Sequence, residues 1–188
     1  MNRLIRIVMP LIILAWISGC KKDAPLPATN VPNGDFENWT GLNYLQGWDS
    51  NSCPPCVPPY DTYIVKKSTD AYHGQYAAEL TYNTVYPAYA SNKFAVKENF
   101  RQLTGYVKCT LYGKDTVSVW FKRFSGTTTV DSGKWSSTSS IKNYQQFTIS
   151  LSPAPVAIDS VQVVLRGGNK MDASHNGSDF WVDYLLLR

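Results

Sequence analysis

From Val31 to the C-terminus, apolar residues recur at every second position, in short runs divided by clusters of Gly, Pro, Asn, Asp and Ser. A period of two puts successive side chains on opposite faces of a strand, so each run buries one face and solvates the other. In Gln102–Tyr112, Leu103, Val107, Cys109 and Leu111 share one side, and Tyr106, Lys108, Thr110 and Tyr112 the other. In Thr116–Phe124, Val117, Val119 and Phe121 alternate with Ser118, Trp120, Lys122 and Phe124. Val161, Val163 and Leu165 alternate in the same way with Gln162 and Arg166.

These runs predict strands at 76–82, 102–112, 116–124, 145–151, 160–166 and 180–187, with weaker ones near 34–38, 63–67 and 93–97. Tyr112-Gly113-Lys114-Asp115 reads as a tight turn joining two long strands as a hairpin. The last strand is apolar on both faces, as a central strand is, with Asp183 as its exception. Eight or nine strands and no helix predict an all-β, two-sheet β-sandwich of jelly-roll type.

The N-terminus has a different pattern. Arg3 and Arg6 precede an apolar run from Ile7 to Ile17, and Ser18-Gly19 stand before Cys20. A positive n-region, a short apolar h-region and a small pair at the cleavage point make an export signal, with the following cysteine as the lipid acceptor of a bacterial lipoprotein. The run is too short for a membrane span, which takes roughly 20 residues. The reading is a signal peptide over 1–19, a lipidated N-terminus and tether over 20–31, and a single domain over 32–188. It puts the protein at the outer membrane or cell surface, joined to the bilayer through lipid alone.

Removing the signal leaves 169 residues, enough for one domain with a real core. Loss of Arg3 and Arg6 takes the formal charge from +4 to +2. Lys and Arg are scattered without a basic run, which argues against nucleic acid as a partner. With Cys20 assigned to lipid, Cys53-Pro54-Pro55-Cys56 reads as a tight loop disulfide in an oxidising compartment. Redox chemistry would need that spacing at the start of a helix, and the flanks Asn51-Ser52 and Val57-Pro58-Pro59 do not start one. Cys109 reads as a small core residue.

Twelve Tyr and six Trp exceed what a core of this size needs. Flat rings stack on the C–H faces of sugars while nearby amides and charges take the hydroxyls. Tyr106, Tyr112 and Trp120 are predicted on outward faces of neighbouring strands beside Lys108, Lys122 and Arg166. Such a row would form a carbohydrate-binding groove; ordinary β-propensity is the alternative for any one ring. Loops offer a second set, with Trp48 and Tyr60 around the cysteine pair and Tyr86 and Tyr89 in the segment 81–93. Catalytic signals are absent from the sequence: it holds no HExxH, no GxSxG and no phosphate-binding glycine loop. His73 reads as a turn residue and His175 as part of a polar loop, and no pair of carboxylates is singled out for glycoside hydrolysis.

Four segments carry a resemblance. They are Asn33-Gly34-Asp35-Phe36-Glu37-Asn38-Trp39, His73-Gly74-Gln75-Tyr76-Ala77-Ala78-Glu79-Leu80, Leu103-Thr104-Gly105-Tyr106-Val107-Lys108, and Gly177-Ser178-Asp179-Phe180-Trp181-Val182-Asp183-Tyr184-Leu185. In this order they resemble a carbohydrate-metabolism domain of Bacteroidetes lipoproteins and, more broadly, galactose-binding-like jelly rolls that include many carbohydrate-binding modules. Lys21-Lys22-Asp23 resembles the surface-export signals of such lipoproteins. The resemblance implies a sandwich whose first and last strands pair and a domain that holds polysaccharide or oligosaccharide without cleaving it. Adhesion, an accessory role in an outer-membrane complex, and carbohydrate breakdown are the alternatives. It also implies a structural calcium at Glu37 and Asp183, with Asp35 as a further contributor and backbone carbonyls near the Gly-Tyr-Ala region. Without calcium, Asp183 must receive backbone N–H bonds or pair with a cation, since a lone buried charge is costly.

Overall fold

A computed structural model describes residues 26–41, 44–52, 64–82, 87–168 and 178–188. Cys20, Cys53, Cys56, Tyr60, Tyr86 and His175 lie outside the described residues. The described chain contains no helix and forms an all-β sandwich of jelly-roll type.

Three short strands open the domain: β1 (Trp39–Thr40), β2 (Tyr44–Leu45) and β3 (Asp49–Ser50). Then come β4 (Val65–Ser68), β5 (Ala77–Thr81), β6 (Ala88–Ala95), β7 (Gln102–Thr110) and β8 (Val117–Ser125). The chain ends with β9 (Thr128–Ser137), β10 (Ile141–Ser150), β11 (Ser160–Gly167) and β12 (Asp179–Leu187). Sheet I has the order β10-β7-β12-β5-β4 and sheet II the order β3-β6-β11-β8-β9; β1 and β2 pair with each other. The alternating residues meet between the sheets, where Leu103, Val107, Phe121, Val163, Leu165, Phe180 and Val182 are buried. β12 is central, paired with β7 and β5, in accord with its apolar faces.

Several sequence expectations change. The turn Tyr112–Asp115 does not close a hairpin, because β7 belongs to sheet I and β8 to sheet II. The chain crosses between the layers there, tied by the buried Asp115, whose carboxylate accepts from Ser178 Oγ at 2.6 Å. The hairpin of β8 is with β9, through Gly126-Thr127, with Gly126 at φ 59°. β9 was not expected at all, and the strand placed near 93–97 runs instead over Ala88–Ala95.

The segment 34–38 is a turn rather than a strand, with Asn33 and Phe36 at positive φ. The first and last strands therefore do not pair. The opening segment still lies along β12, beyond the end of β5: Leu185 N–H donates to Gly34 O at 2.8 Å, and Leu187 N–H to Asn30 Oδ1 at 2.7 Å. Asn30 Nδ2 returns a bond to Leu187 O at 3.0 Å, and Tyr184 Oη donates to Pro27 O. A Cβ at Gly34 would come within 2.7 Å of Val31 Cβ, so only glycine permits this approach. Residues 26–31, expected to belong to a free tether, are thus docked on the domain, and Val31 is buried.

At one end of the sandwich Arg123 is fully buried. Its five N–H donors meet both carboxylate oxygens of Asp131, Asn99 Oδ1, Phe100 O and Ser152 O. A buried guanidinium is tolerated because every donor is satisfied.

Candidate functional site

The β-ladders of sheet II set a row of side chains on its outer face. Trp120 on β8 stands opposite Val164 on β11 and Lys134 on β9. Lys122 opposes Gln162, and Arg166 opposes Tyr89 on β6 and Ser118 on β8. Two adjoining clefts meet there. One, of about 220 Å³, is lined by Tyr89, Trp120, Lys122, Gln162, Val164 and Arg166. The other, of about 630 Å³, shares Tyr89, Trp120 and Arg166 and extends to Asn51, Thr116, Ser118 and Lys134. Its volume lies within the range of ligand clefts, roughly 300–1,000 Å³.

Val164 and Ser118 are buried and form the floor. Trp120 is half-buried, with Lys134 Nζ 5.2 Å and Lys122 Nζ 6.0 Å from its ring centre. Arg166 lies 5.8 Å from the Tyr89 ring, within cation–π reach. Asn51 holds the strand start that carries Tyr89: its Oδ1 accepts from Tyr89 N–H at 2.9 Å and its Nδ2 donates to Pro87 O at 2.7 Å. The aromatic walls are therefore mounted on paired strands, a rigid placement.

Trp120, Lys122, Arg166 and Tyr89 of the expected residues come together here. Tyr89, expected in a loop, is on a strand. Lys134 was missed with β9. Tyr106 and Trp120 were expected as neighbours and are not, since they point outward from opposite sheets. Tyr112 is exposed at the turn between the layers, away from both clefts. Trp48, expected as a binding residue, is 4% exposed and packs in the core at 5.4 Å from Phe36.

Tyr106 belongs to a second aromatic cluster on sheet I. Tyr72 stacks on it with ring centres 3.5 Å apart, and Tyr144 meets Tyr72 edge-on at 6.0 Å. Lys108 pairs with Asp70 and lies 4.3 Å from the Trp181 ring. Tyr144 Oη donates to Asp70 O at 2.6 Å, and burial, reinforced by the charges of Asp183, Asp70 and Glu79, pushes its phenol well above the ordinary range. These groups face one another and fasten the segment between β4 and β5 onto the sheet. Tyr106 is a covered ring, not an open platform.

The acids of the resemblance lie beneath that segment. Asp183 Oδ2 accepts from Tyr72 N–H at 2.8 Å and His73 N–H at 2.9 Å, and Oδ1 from Tyr184 N–H at 2.7 Å. Glu37 Oε1 accepts from Gln75 N–H at 2.7 Å and Tyr76 N–H at 3.0 Å. Burial pushes the Asp183 carboxyl up to about 7 against the three N–H bonds, and the charge of Glu37 adds to the rise. Asp35, Glu37 and His73 line a small cleft of about 250 Å³ with Tyr184 and residues 26–29. Among the described residues no three His, Cys, Asp or Glu converge as a metal-holding group. A calcium shell of six to eight oxygens would have to be completed by backbone carbonyls.

A scan against protein-family models and a search of curated proteins give no match. Solved structures do match in fold. TmCBM61, in complex with β-1,4-galactotriose, superposes with a TM-score of 0.57 at 13% identity, over 86% of this chain and 99% of that one. A family 16 carbohydrate-binding module gives 0.50 at 19% identity, over 84% and 98%. The enzymatically active domain of a bacteriophage tailspike protein gives 0.53 at 16% identity, over 85% of this chain but 21% of its own. At these identities the likeness is one of fold: the chain shares the jelly roll of carbohydrate-binding modules.

Proposed function

We propose that this protein is a non-catalytic glycan-binding module, and that its site is the outer face of sheet II. The observation that carries the reading is the half-buried Trp120 at the junction of two clefts, with Tyr89 and hydrogen-bonding side chains around it. An indole face presents an apolar plane to sugar C–H groups, and Gln162, Arg166 and the lysines reach for hydroxyls and ring oxygens. The solved modules of the same fold that are named for carbohydrate binding add support. Polysaccharide or oligosaccharide is the partner. A lipid at Cys20 attaches the domain to the outer membrane or cell surface, following a cleaved signal over 1–19, and Cys53 and Cys56 form a loop disulfide.

Affinity electrophoresis against a panel of polysaccharides tests the site. Retardation by at least one polymer is expected, and Trp120→Ala should weaken it at least tenfold while leaving the melting temperature within a few degrees. Ring stacking and burial of this kind are worth about 1.5–3 kcal/mol. No retardation by any polymer, with a co-purifying protein, would transfer the site to adhesion or an outer-membrane complex. Release of reducing ends would make the domain an enzyme.

Calcium at Glu37 and Asp183 is a separate proposal, supported by two acids that both bind the backbone of the segment 72–76. Chelation should then lower the melting temperature. An unchanged curve would leave the backbone N–H groups as the partners that hold these carboxylates.

A further inference from the structure

Among the described residues, the two clefts at Trp120 are lined by cations and by no acid: Lys122 and Arg166 in one, Lys134 and Arg166 in the other. Among the described residues the ion pairs are Lys108–Asp70 and Arg123–Asp131, so none of these three is neutralised by a described carboxylate. Asp49, which shares the outward row through its pairing with Ser91, is on edge strand β3 and lines neither cleft. The whole chain carries a formal charge of only +4 over 188 residues. Three unpaired cations around one indole are therefore a local concentration.

The strands fix that arrangement. Lys122 is two residues from Trp120 on β8, Lys134 is directly across on β9, and Arg166 is diagonal to it on β11. The charges bracket the ring on three sides.

Their hydrogen-bonding chemistry narrows the ligand. A neutral sugar hydroxyl both donates and accepts, so a groove for neutral chains needs acceptors as well as donors. Lys and Arg only donate. Asn51 has its amide committed to Tyr89 and Pro87, which leaves Gln162, the phenol oxygen of Tyr89 and the hydroxyls of Ser118 and Thr116 as the side-chain acceptors, all uncharged and weaker than the three cationic donors. Donor-only cations match groups that only accept, and the planar fork of Arg166 fits a carboxylate or a sulfate ester with two bonds.

We propose that the ligand is an acidic polysaccharide, with a sugar face stacked on Trp120 and carboxylate or sulfate groups held by Arg166, Lys122 and Lys134. This rests on the glycan-binding reading above and names its substrate class.

The test is affinity electrophoresis in gels containing polygalacturonate, a sulfated galactan, neutral β-1,4-galactan or duplex DNA, each run at low and high salt. The wild type, Trp120→Ala, the triple variant Lys122→Gln/Lys134→Gln/Arg166→Gln and the control Lys142→Gln on β10 are compared. The expected result is at least tenfold stronger retardation by one of the two acidic glycans than by neutral galactan. The triple variant should lose that margin, Lys142→Gln should keep it, and salt should weaken it. Which acidic polymer retards identifies carboxylate or sulfate as the bound group.

Equal or stronger binding of neutral galactan, abolished by Trp120→Ala, overturns the acidic ligand and leaves the glycan-binding reading intact. Equal binding of DNA also overturns it, since the face would then hold any polyanion. No retardation by any of the glycans overturns it as well, and the wider panel above then decides the parent reading. Should the triple variant fail to fold, the salt series on the wild type decides, and salt-insensitive retardation overturns the proposal.

Discussion

Asp183 shows what one buried acid demands of its surroundings. It is fully buried and its three backbone N–H partners come from two places, Tyr184 on its own strand and the turn at Tyr72 and His73. The sequence marked it as an acid in an apolar strand that had to find partners. It could not show that the partners come from a turn more than a hundred residues earlier, because N–H groups leave no trace in residue identity. Burial raises this carboxyl from 3.8 to about 7 in the folded state. The native protein therefore holds the proton more tightly than the unfolded chain does. The stabilisation this gives is complete below about pH 4 and is lost as pH rises through 7. Denaturant melts of wild type and Asp183→Asn in chelator should show the wild-type advantage shrinking from pH 5 to pH 8. A constant or growing advantage would contradict the raised value.

At the scale of elements, alternation was legible where one face is buried. β7, β8, β11 and β12 begin and end within two residues of the predicted strands. β9 escaped because it is a polar edge strand whose inward side carries Gly133 and Trp135 in place of an aliphatic run. Its signals were the Gly126-Thr127 turn and the β-branched stretch after it. Gly133 is there for contact: a Cβ would lie 2.4 Å from Ile149 Cγ2 on β10. Gly133→Val should therefore destabilise the domain by about 1–3 kcal/mol through overpacking, measured by denaturant melts. Because Lys134 is the next residue, the same change should also weaken glycan retardation; unaltered stability would remove β9 from the packed edge. Sheet membership was not legible either. A four-residue turn with a glycine suits a hairpin and a crossing equally, and at 112–115 the strand pairings of β7 and β8 make it a crossing, with the buried bond between Asp115 and Ser178 tying it down.

For the molecule as a whole, the outward faces were read correctly and then joined wrongly. Lys108 and Tyr106 face outward from sheet I, where Tyr72 covers Tyr106. Trp120, Lys122 and Arg166 form the open groove on sheet II. Face assignment is local, whereas the layer a face belongs to is settled by pairings across the whole chain. The docking of residues 26–31 carries that geometry further. Pro27 and Asn30 are bound to Tyr184 and Leu187 on β12, so the chain enters the domain from the side of sheet I. From Cys20 to Leu26 the backbone can reach at most about 20 Å. With a lipid on Cys20, the domain would stand close to the bilayer with its back turned to it, and the groove would look outward. Its polymer would then arrive from the surroundings and not from the membrane that carries the protein.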